Sequence, residues 1–409
     1  MSGNAVARLG PDGALTAELA ARVRHRFTLS GTDATSPAIA SAVRSEPAVA
    51  VLGDTTVLRL ADRVRSDLVG AGPLAPLLAD PDVTDVLVNG PGEVWVDRGA
   101  GLRRAPVALG SADDVRRLAQ RLVAACGRRL DDGCPYADAR LPDGTRLHAV
   151  LPPVAVDGPC LSLRTFRPRP YTLRDLERLG TLTGPAAELA AAVVTGRLAF
   201  LVTGGTGCGK TTLLSSLLGL VAGRERLVLV EDAAELRPAH PHVVRLQARV
   251  SNVEGAGAVS LRDLVRQALR MRPDRLIVGE CRGAEIVDLL AALNTGHDGG
   301  AGTLHANTSA DVPARLEALG LLGGLPRPAL HAQVAAALQV VLHLRRTPGG
   351  RVLDEVCLLL PAGPDRLVST VPVWRRSAGP GPGAAAFGRL LADRGVSLPA
   401  SLAAGRGAR

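Results

Sequence analysis

A chain of 409 residues is longer than one hydrophobic core usually grows, so two domains with flanking segments are expected. Apolar residues make up 46% of it, yet no run approaches the roughly 20 uncharged apolar residues of a membrane-spanning helix. The opening MSGNAVARLGPDG has no signal-peptide pattern, so the chain is expected to be soluble and cytoplasmic; its formal charge of +9 permits attraction to nucleic acid or anionic lipid without choosing between them.

Residues 1–65 read as a variable helical N-terminal extension, with helical periodicity over residues 15–27 and no recognisable site. Residues 66–166 read as a compact α/β domain. Apolar and polar residues alternate over 86–88 and 94–96, with Asn89-Gly90 and Pro91-Gly92 between them, a strand-turn-strand signature. A helix is predicted over 112–126 and strands over 146–150 and 161–166. Arg167-Pro168-Arg169-Pro170 cannot continue regular structure, because proline withholds its N–H and biases its predecessor to extended conformations; the interdomain linker is placed at 167–180, with a helix predicted over 172–179.

Residues 181–376 read as a second α/β domain. The run at 198–203 has the length and composition of a buried parallel strand, and further apolar runs at 226–230 and 275–278 alternate with helical segments at 261–271 and 284–293. That alternation predicts a parallel, doubly wound sheet. Residues 377–409 begin SAGPGPGAAA and read as a flexible Gly/Pro-rich tail.

The chemistry concentrates in the second domain. Gly204-Gly205-Thr206-Gly207-Cys208-Gly209-Lys210-Thr211 fits G-x-x-x-x-G-K-[ST] completely, between a predicted strand and the apolar helix at 212–220. The glycines turn backbone N–H groups inward as an anion nest, Lys210 reaches the β- and γ-phosphates of ATP, the Thr211 hydroxyl ligates Mg²⁺, and Thr212 continues the phosphate contacts. Every basic residue but one is arginine, and the exception is Lys210, where a compact ammonium must fit inside a phosphate loop. Cys208, near a helix N-terminus, is expected to have a lowered thiol pKa and to block nucleotide binding when alkylated. The six cysteines show no zinc spacing and read as reduced thiols.

Downstream, Glu231 and Glu235 follow the next strand at the end of a sheet where ligands bind, and either can organise water or Mg²⁺; a solvated acidic loop is the plainer alternative. Leu276-Ile277-Val278-Gly279-Glu280 delivers an acidic residue at the end of a buried strand, making Glu280 the preferred base or water-positioning group. His297 and His305 flank a glycine-rich stretch. On spacing alone each is as well explained by an ordinary structural hydrogen bond as by a phosphate contact.

Taken together, the phosphate loop, Glu-Asp-x-x-Glu-Leu at 231–236, Arg-Pro-Asp-Arg-Leu-Ile-Val-Gly-Glu at 272–280 and Thr-Gly-His…Thr-Leu-His-Ala-Asn at 295–307 resemble the type II/type IV secretion-system ATPase superfamily, and most of all the Tad/Flp pilus assembly ATPases. The resemblance covers roughly residues 65–375 and includes Val83-Thr84-Asp85-Val86-Leu87-Val88-Asn89-Gly90 and the 140–153 segment. It implies a RecA-like ATPase domain preceded by a smaller α/β domain, with Glu235, Glu280, His297 and His305 in the site. It also implies that Arg146 and Arg164 reach the terminal phosphate as arginine fingers do, against the alternative of a strand-face salt bridge. Further implications are a homohexamer, peripheral association with the inner face of the cytoplasmic membrane, and docking on an inner-membrane platform protein. Cys208, Gly279 and Cys281 depart from the common pattern, Gly279 where many members carry Arg. A nucleic-acid translocase is the competing reading; the 2% aromatic content argues against direct nucleic-acid binding, which uses stacking platforms.

Overall fold

A computed structural model describes residues 22–23, 26–27, 36–49, 54–99, 101–165, 170–249, 251 and 256–403. Residues 1–168 and 169–409 form two compact units. Most of the helix predicted over 15–27 lies outside the described residues. Helices Ser36–Arg44 and Asp54–Val69 bury Ile39, Val43, Leu60 and Val64 together.

The first unit carries six strands: β1 (Asp85–Val88), β2 (Val94–Asp97), β3 (Leu102–Arg104), β4 (Tyr136–Arg140), β5 (Arg146–Val150) and β6 (Cys160–Arg164). They pair antiparallel throughout, in the order β3-β2-β1-β6-β5-β4. Alternation decides which face is covered: Val86, Val88, Val94, Val96, Leu147, Ala149, Leu161 and Leu163 are buried, while their neighbours along each strand are less so. The helix Ala112–Ala124 packs on that face through Val115, Leu118, Leu122 and Val123, its start fixed by a Ser111/Asp114 capping box.

The second unit is built on nine strands: β7 (Phe200–Gly204), β8 (Leu227–Glu231), β9 (Val243–Gln247), β10 (Arg275–Cys281), β11 (Ala301–Leu304), β12 (Val340–Thr347), β13 (Gly350–Ala362), β14 (Leu367–Arg375) and β15 (Gly379–Pro380). The order is β15-β14-β13-β12-β7-β11-β10-β8-β9. From β12 to β9 neighbours run parallel, and β12 to β15 extend the sheet antiparallel, so it is mixed rather than purely parallel. β7 and β8 are buried at every position, as strands covered on both faces must be. One face is covered by a core containing Leu189, Leu213, Leu217 and Phe387, the other by Leu264, Ile286, Leu316 and Leu330.

Two segment readings need correction. Within 167–180, the helix Leu173–Arg178 starts at a Thr172/Asp175 capping box, and Ser216 Oγ donates to Tyr171 O at 2.7 Å, so this stretch from 171 on belongs to the second unit instead of bridging two. Residues 377–403 are not a loose tail. Gly381 N and Gly383 N donate to Val373 O and Pro372 O at 2.8 and 2.7 Å, β15 pairs with β14, and the helix Ala384–Asp393 buries Phe387 and Leu391. A Cβ on Gly383 would stand 3.0 Å from both Val371 O and Pro372 O. The glycines permit close backbone approach, which composition alone reads as mobility.

Candidate functional site

The phosphate loop leaves the C-terminal end of β7 and enters the helix Lys210–Leu218. Gly204, Gly207 and Gly209 have φ of 143°, 70° and 94°, values that L side chains rarely adopt. A Cβ on Gly204 would also come within 2.7 Å of Cys208 Sγ. Gly205, Thr206 and Gly207 face solvent, and Thr211 and Thr212 are half-buried.

Lys210 is buried, and its Nζ donates to Gly204 O at 3.0 Å and Gly205 O at 2.9 Å, the loop's own carbonyls. Burial pulls its ammonium below the ordinary lysine range, against the attraction of Glu280. A buried cation with no carboxylate bonded to it, held by neutral acceptors inside a glycine cradle, fits an incoming polyphosphate.

β11 delivers His305 to the same spot. Its Nδ1 lies 3.3 Å from Lys210 Nζ and its Nε2 lies 2.5 Å from Glu280 Oε1, at the end of β10. With a proton on Nε2 and none on Nδ1, the neutral ring accepts from Lys210 and donates to Glu280, satisfying all three groups. Desolvation and then Lys210 lower the His305 pKa, outweighing Glu280, which raises it. His305 is therefore neutral at physiological pH. Arg282 closes the other side of the Glu280 carboxylate.

A pH dependence follows. As pH falls through the depressed His305 pKa, an imidazolium forms beside Lys210 and the Nδ1 acceptor is lost. ATP turnover should hold down to about pH 6.5, the ordinary histidine value, and fall below it, while His305→Gln should remove that inflection. A wild-type profile already falling from pH 8, or an inflection unchanged in the variant, would refute this protonation state.

The buried braces behind the site were not legible in the sequence. Thr203 Oγ1 meets His343 Nδ1 at 2.9 Å between β7 and β12, and Thr303 Oγ1 donates to Gly279 O at 2.6 Å between β11 and β10. They fix the strands that carry the loop and Glu280. Arg351, at the start of β13, was also missed: its Nε donates to Gly207 O at 2.8 Å from a solvent-exposed position. Nothing near it in sequence marks it, since it joins the loop across 144 residues.

Other candidates are placed differently. Glu231 is 3% exposed, and its Oε1 accepts from Glu235 N at 2.8 Å and Leu236 N at 2.9 Å. Through Oε1 it shapes the loop that carries the half-buried Glu235. A Cβ on Gly279 would stand 2.6 Å from Glu231 Cγ, so the missing side chain at 279 leaves room for this carboxylate. His297 precedes β11, at the opposite end of that strand from His305, and its Nδ1 lies 3.1 Å from Ala292 O. Four strand residues, about 13 Å, keep it from the phosphate loop of its own chain. In the first unit, Arg146 and Arg164 are register partners on β5 and β6, both exposed, with Arg164 Nε donating to Asp85 Oδ1 at 3.1 Å.

Cys208 reverses its expectation. It is 2% exposed, and burial raises its thiol pKa despite the opposing pull of Lys210 and Arg351. Iodoacetamide at neutral pH should leave Cys208 unmodified in the folded protein while labelling it fully in denaturant, read by peptide mass spectrometry. Stoichiometric labelling of the native protein would contradict this.

The family described as type II/IV secretion system protein matches residues 67–357. The chain belongs to that family. With its phosphate loop and RecA-like sheet it is a nucleotide-binding secretion-family ATPase. Among its relatives, a putative conjugal transfer protein of Mycobacterium tuberculosis is 56% identical over 351 residues, covering 84% of this chain and 99% of that protein. The type IV secretion system protein PtlH of Bordetella pertussis is 34% identical over 306 residues, covering 68% and 89%. The crystal structure of the pilus retraction motor PilT with bound ADP shares the fold at 21% identity, covering 72% of this chain and 83% of that one with a TM-score of 0.52. No helix among the described residues is long and apolar enough to cross a membrane.

Proposed function

We propose that this secretion-family ATPase is a homohexameric motor that hydrolyses ATP to drive pilus assembly or protein secretion, working at the inner face of the cytoplasmic membrane on an inner-membrane platform protein. The observation that carries the hydrolytic part is the joining of Lys210, His305 and Glu280 at the glycine cradle. In this reading Lys210 and the loop amides bind the phosphates. Glu280 orients and deprotonates the attacking water. His305 holds the carboxylate in place through Nε2–H and takes a contact from Lys210 through Nδ1. Mg²⁺, held by Thr211 with the nucleotide, would neutralise charge on the β- and γ-oxygens. Glu235, on the loop ordered by Glu231, would assist in positioning water or Mg²⁺ at the γ-phosphate, and Arg146 and Arg164 would supply charge to it.

Arg351 adds a positive charge beside the loop and fixes the Gly207 carbonyl. A bond from a charged donor is worth about 1.5–3 kcal/mol, so Arg351→Ala should weaken ATP binding roughly tenfold or more, with Arg351→Lys recovering part of it. Fluorescent-nucleotide titration checks this; an unchanged Kd would remove Arg351 from the site.

The names of the relatives favour a second reading, a motor for conjugal DNA transfer, and the basic chain allows it. Affinity capture with the hydrolysis-defective Glu280→Gln variant from nuclease-treated membranes separates them. Recovery of a polytopic membrane protein with pilin-like clients supports the secretion motor. Recovery of DNA-processing proteins without such a partner supports the transfer motor.

A further inference from the structure

At the end of the nine-stranded sheet opposite the phosphate loop, a cleft of about 560 Å³ opens among the turns that lead into β8 and β10. Ligand clefts run roughly 300–1,000 Å³. The loop leaves the C-terminal end of β7, whereas the cleft lies at the N-terminal ends of the parallel strands; five strand residues, about 17 Å, separate them. It is a different site from the one described above.

Four arginines and two carboxylates line this cleft: Arg197, Arg224, Arg272, Arg275, Glu225 and Asp274. The floor is internally satisfied. Arg275 is 2% exposed and donates to Glu225 through Nε (2.9 Å) and Nη2 (3.3 Å) and to Val194 O through Nη1 (3.1 Å). Arg197 shares the same carboxylate at 2.5 Å and reaches Asp274 O at 3.1 Å. One glutamate thus serves two arginines, while Asp274 Oδ2 caps Arg226 N at 2.7 Å.

The rim is different. Arg224 and Arg272 are exposed and make no hydrogen bond or ion pair with the described residues. Arg272, three residues past the helix Leu261–Leu269, has φ of 52°, a left-handed conformation that favours glycine. The chain instead carries a long cation there. Between these arms, Leu220 is 44% exposed on the same wall.

We propose that this cleft docks an acidic segment of a partner protein, with two or more carboxylates set beside an apolar side chain. Charge complementarity selects an anion, and free guanidinium forks next to an exposed leucine are the arginine-plus-apolar combination of interface anchors. The same geometry disfavours a compact phosphate. Among the described residues no glycine nest or helix N-terminus lines the cleft; the helices Gly184–Thr195 and Leu261–Leu269 both end at this side and present their electronegative C-termini. Carboxylates spaced along a peptide can meet the outlying arms without sitting over those termini.

The test is fluorescence anisotropy on the full-length protein with two fluorescein-labelled hexapeptides, one of alternating acidic and leucine residues and one all acidic, with inorganic phosphate as competitor. The mixed peptide should bind the wild type more than tenfold tighter than it binds R224E/R272E or the milder R224Q/R272Q. Leu220→Ser should weaken the mixed peptide and spare the acidic one. ATP turnover in these variants should match the wild type, so failure here is separable from failure at the nucleotide site. Equal binding to the charge variants, or displacement by phosphate at concentrations below the peptide's own Kd, would overturn the proposal, the latter making this a small-anion site.

Discussion

Replacing Glu280 by glutamine is expected to lower ATP turnover by roughly 10²–10⁴-fold while leaving ATP affinity within about threefold, the size of effect expected when a positioned base is removed. The amide is nearly isosteric, so its oxygen still accepts from His305 Nε2–H and the strand end keeps its shape. It carries no charge to balance Lys210 and Arg282, and it cannot take a proton from water. The discriminating result is the split between kcat and binding. A variant that loses affinity in proportion to turnover would show that Glu280 organises the loop rather than the chemistry.

Phe387→Ala should strongly destabilise the second unit. Phe387 is fully buried from the helix Ala384–Asp393, in the core that also holds Leu213 and Trp374. Truncating a buried phenylalanine costs about 3–5 kcal/mol. For a unit of this size that corresponds to a fall in Tm of roughly 6–20 °C, at about 2–4 °C per kcal/mol. Calorimetry checks it. An unchanged Tm would return residues 384–393 to the status of a loose appendage.

That helix shows where composition misleads. The run SAGPGPG carries the residue types of a flexible linker, but Gly381 and Gly383 serve backbone contacts to β14 that only the folded chain reveals. The parallel part of the sheet was readable because β7, β8 and β10 are continuous apolar runs separated by helical periods. The antiparallel extension from β12 to β15 was missed, although the short Pro348-Gly349 connection between β12 and β13 is a hairpin signal, too short for the dozen or so residues of a parallel crossover.

The site divides the same way. The phosphate loop is a contiguous motif and needed no tertiary information; Glu280 followed from a buried strand ending in an acid. His305 and His297 looked equivalent by spacing, and only strand direction separates them, since β11 carries one toward Lys210 and leaves the other behind. Arg351 reaches the loop from a distant hairpin. Cys208 had the right neighbours for a lowered pKa but the wrong burial.

In the proposed reaction Lys210 is the cation that receives the nucleotide's phosphates. Titration of fluorescent ATP with Mg²⁺ into the wild type and Lys210→Ala, at matched salt, tests it most directly. The wild type should bind saturably, and the variant should lose at least a hundredfold in affinity. Equal affinity in the two proteins would contradict that role for Lys210, because the nucleotide would then lie somewhere other than the glycine cradle.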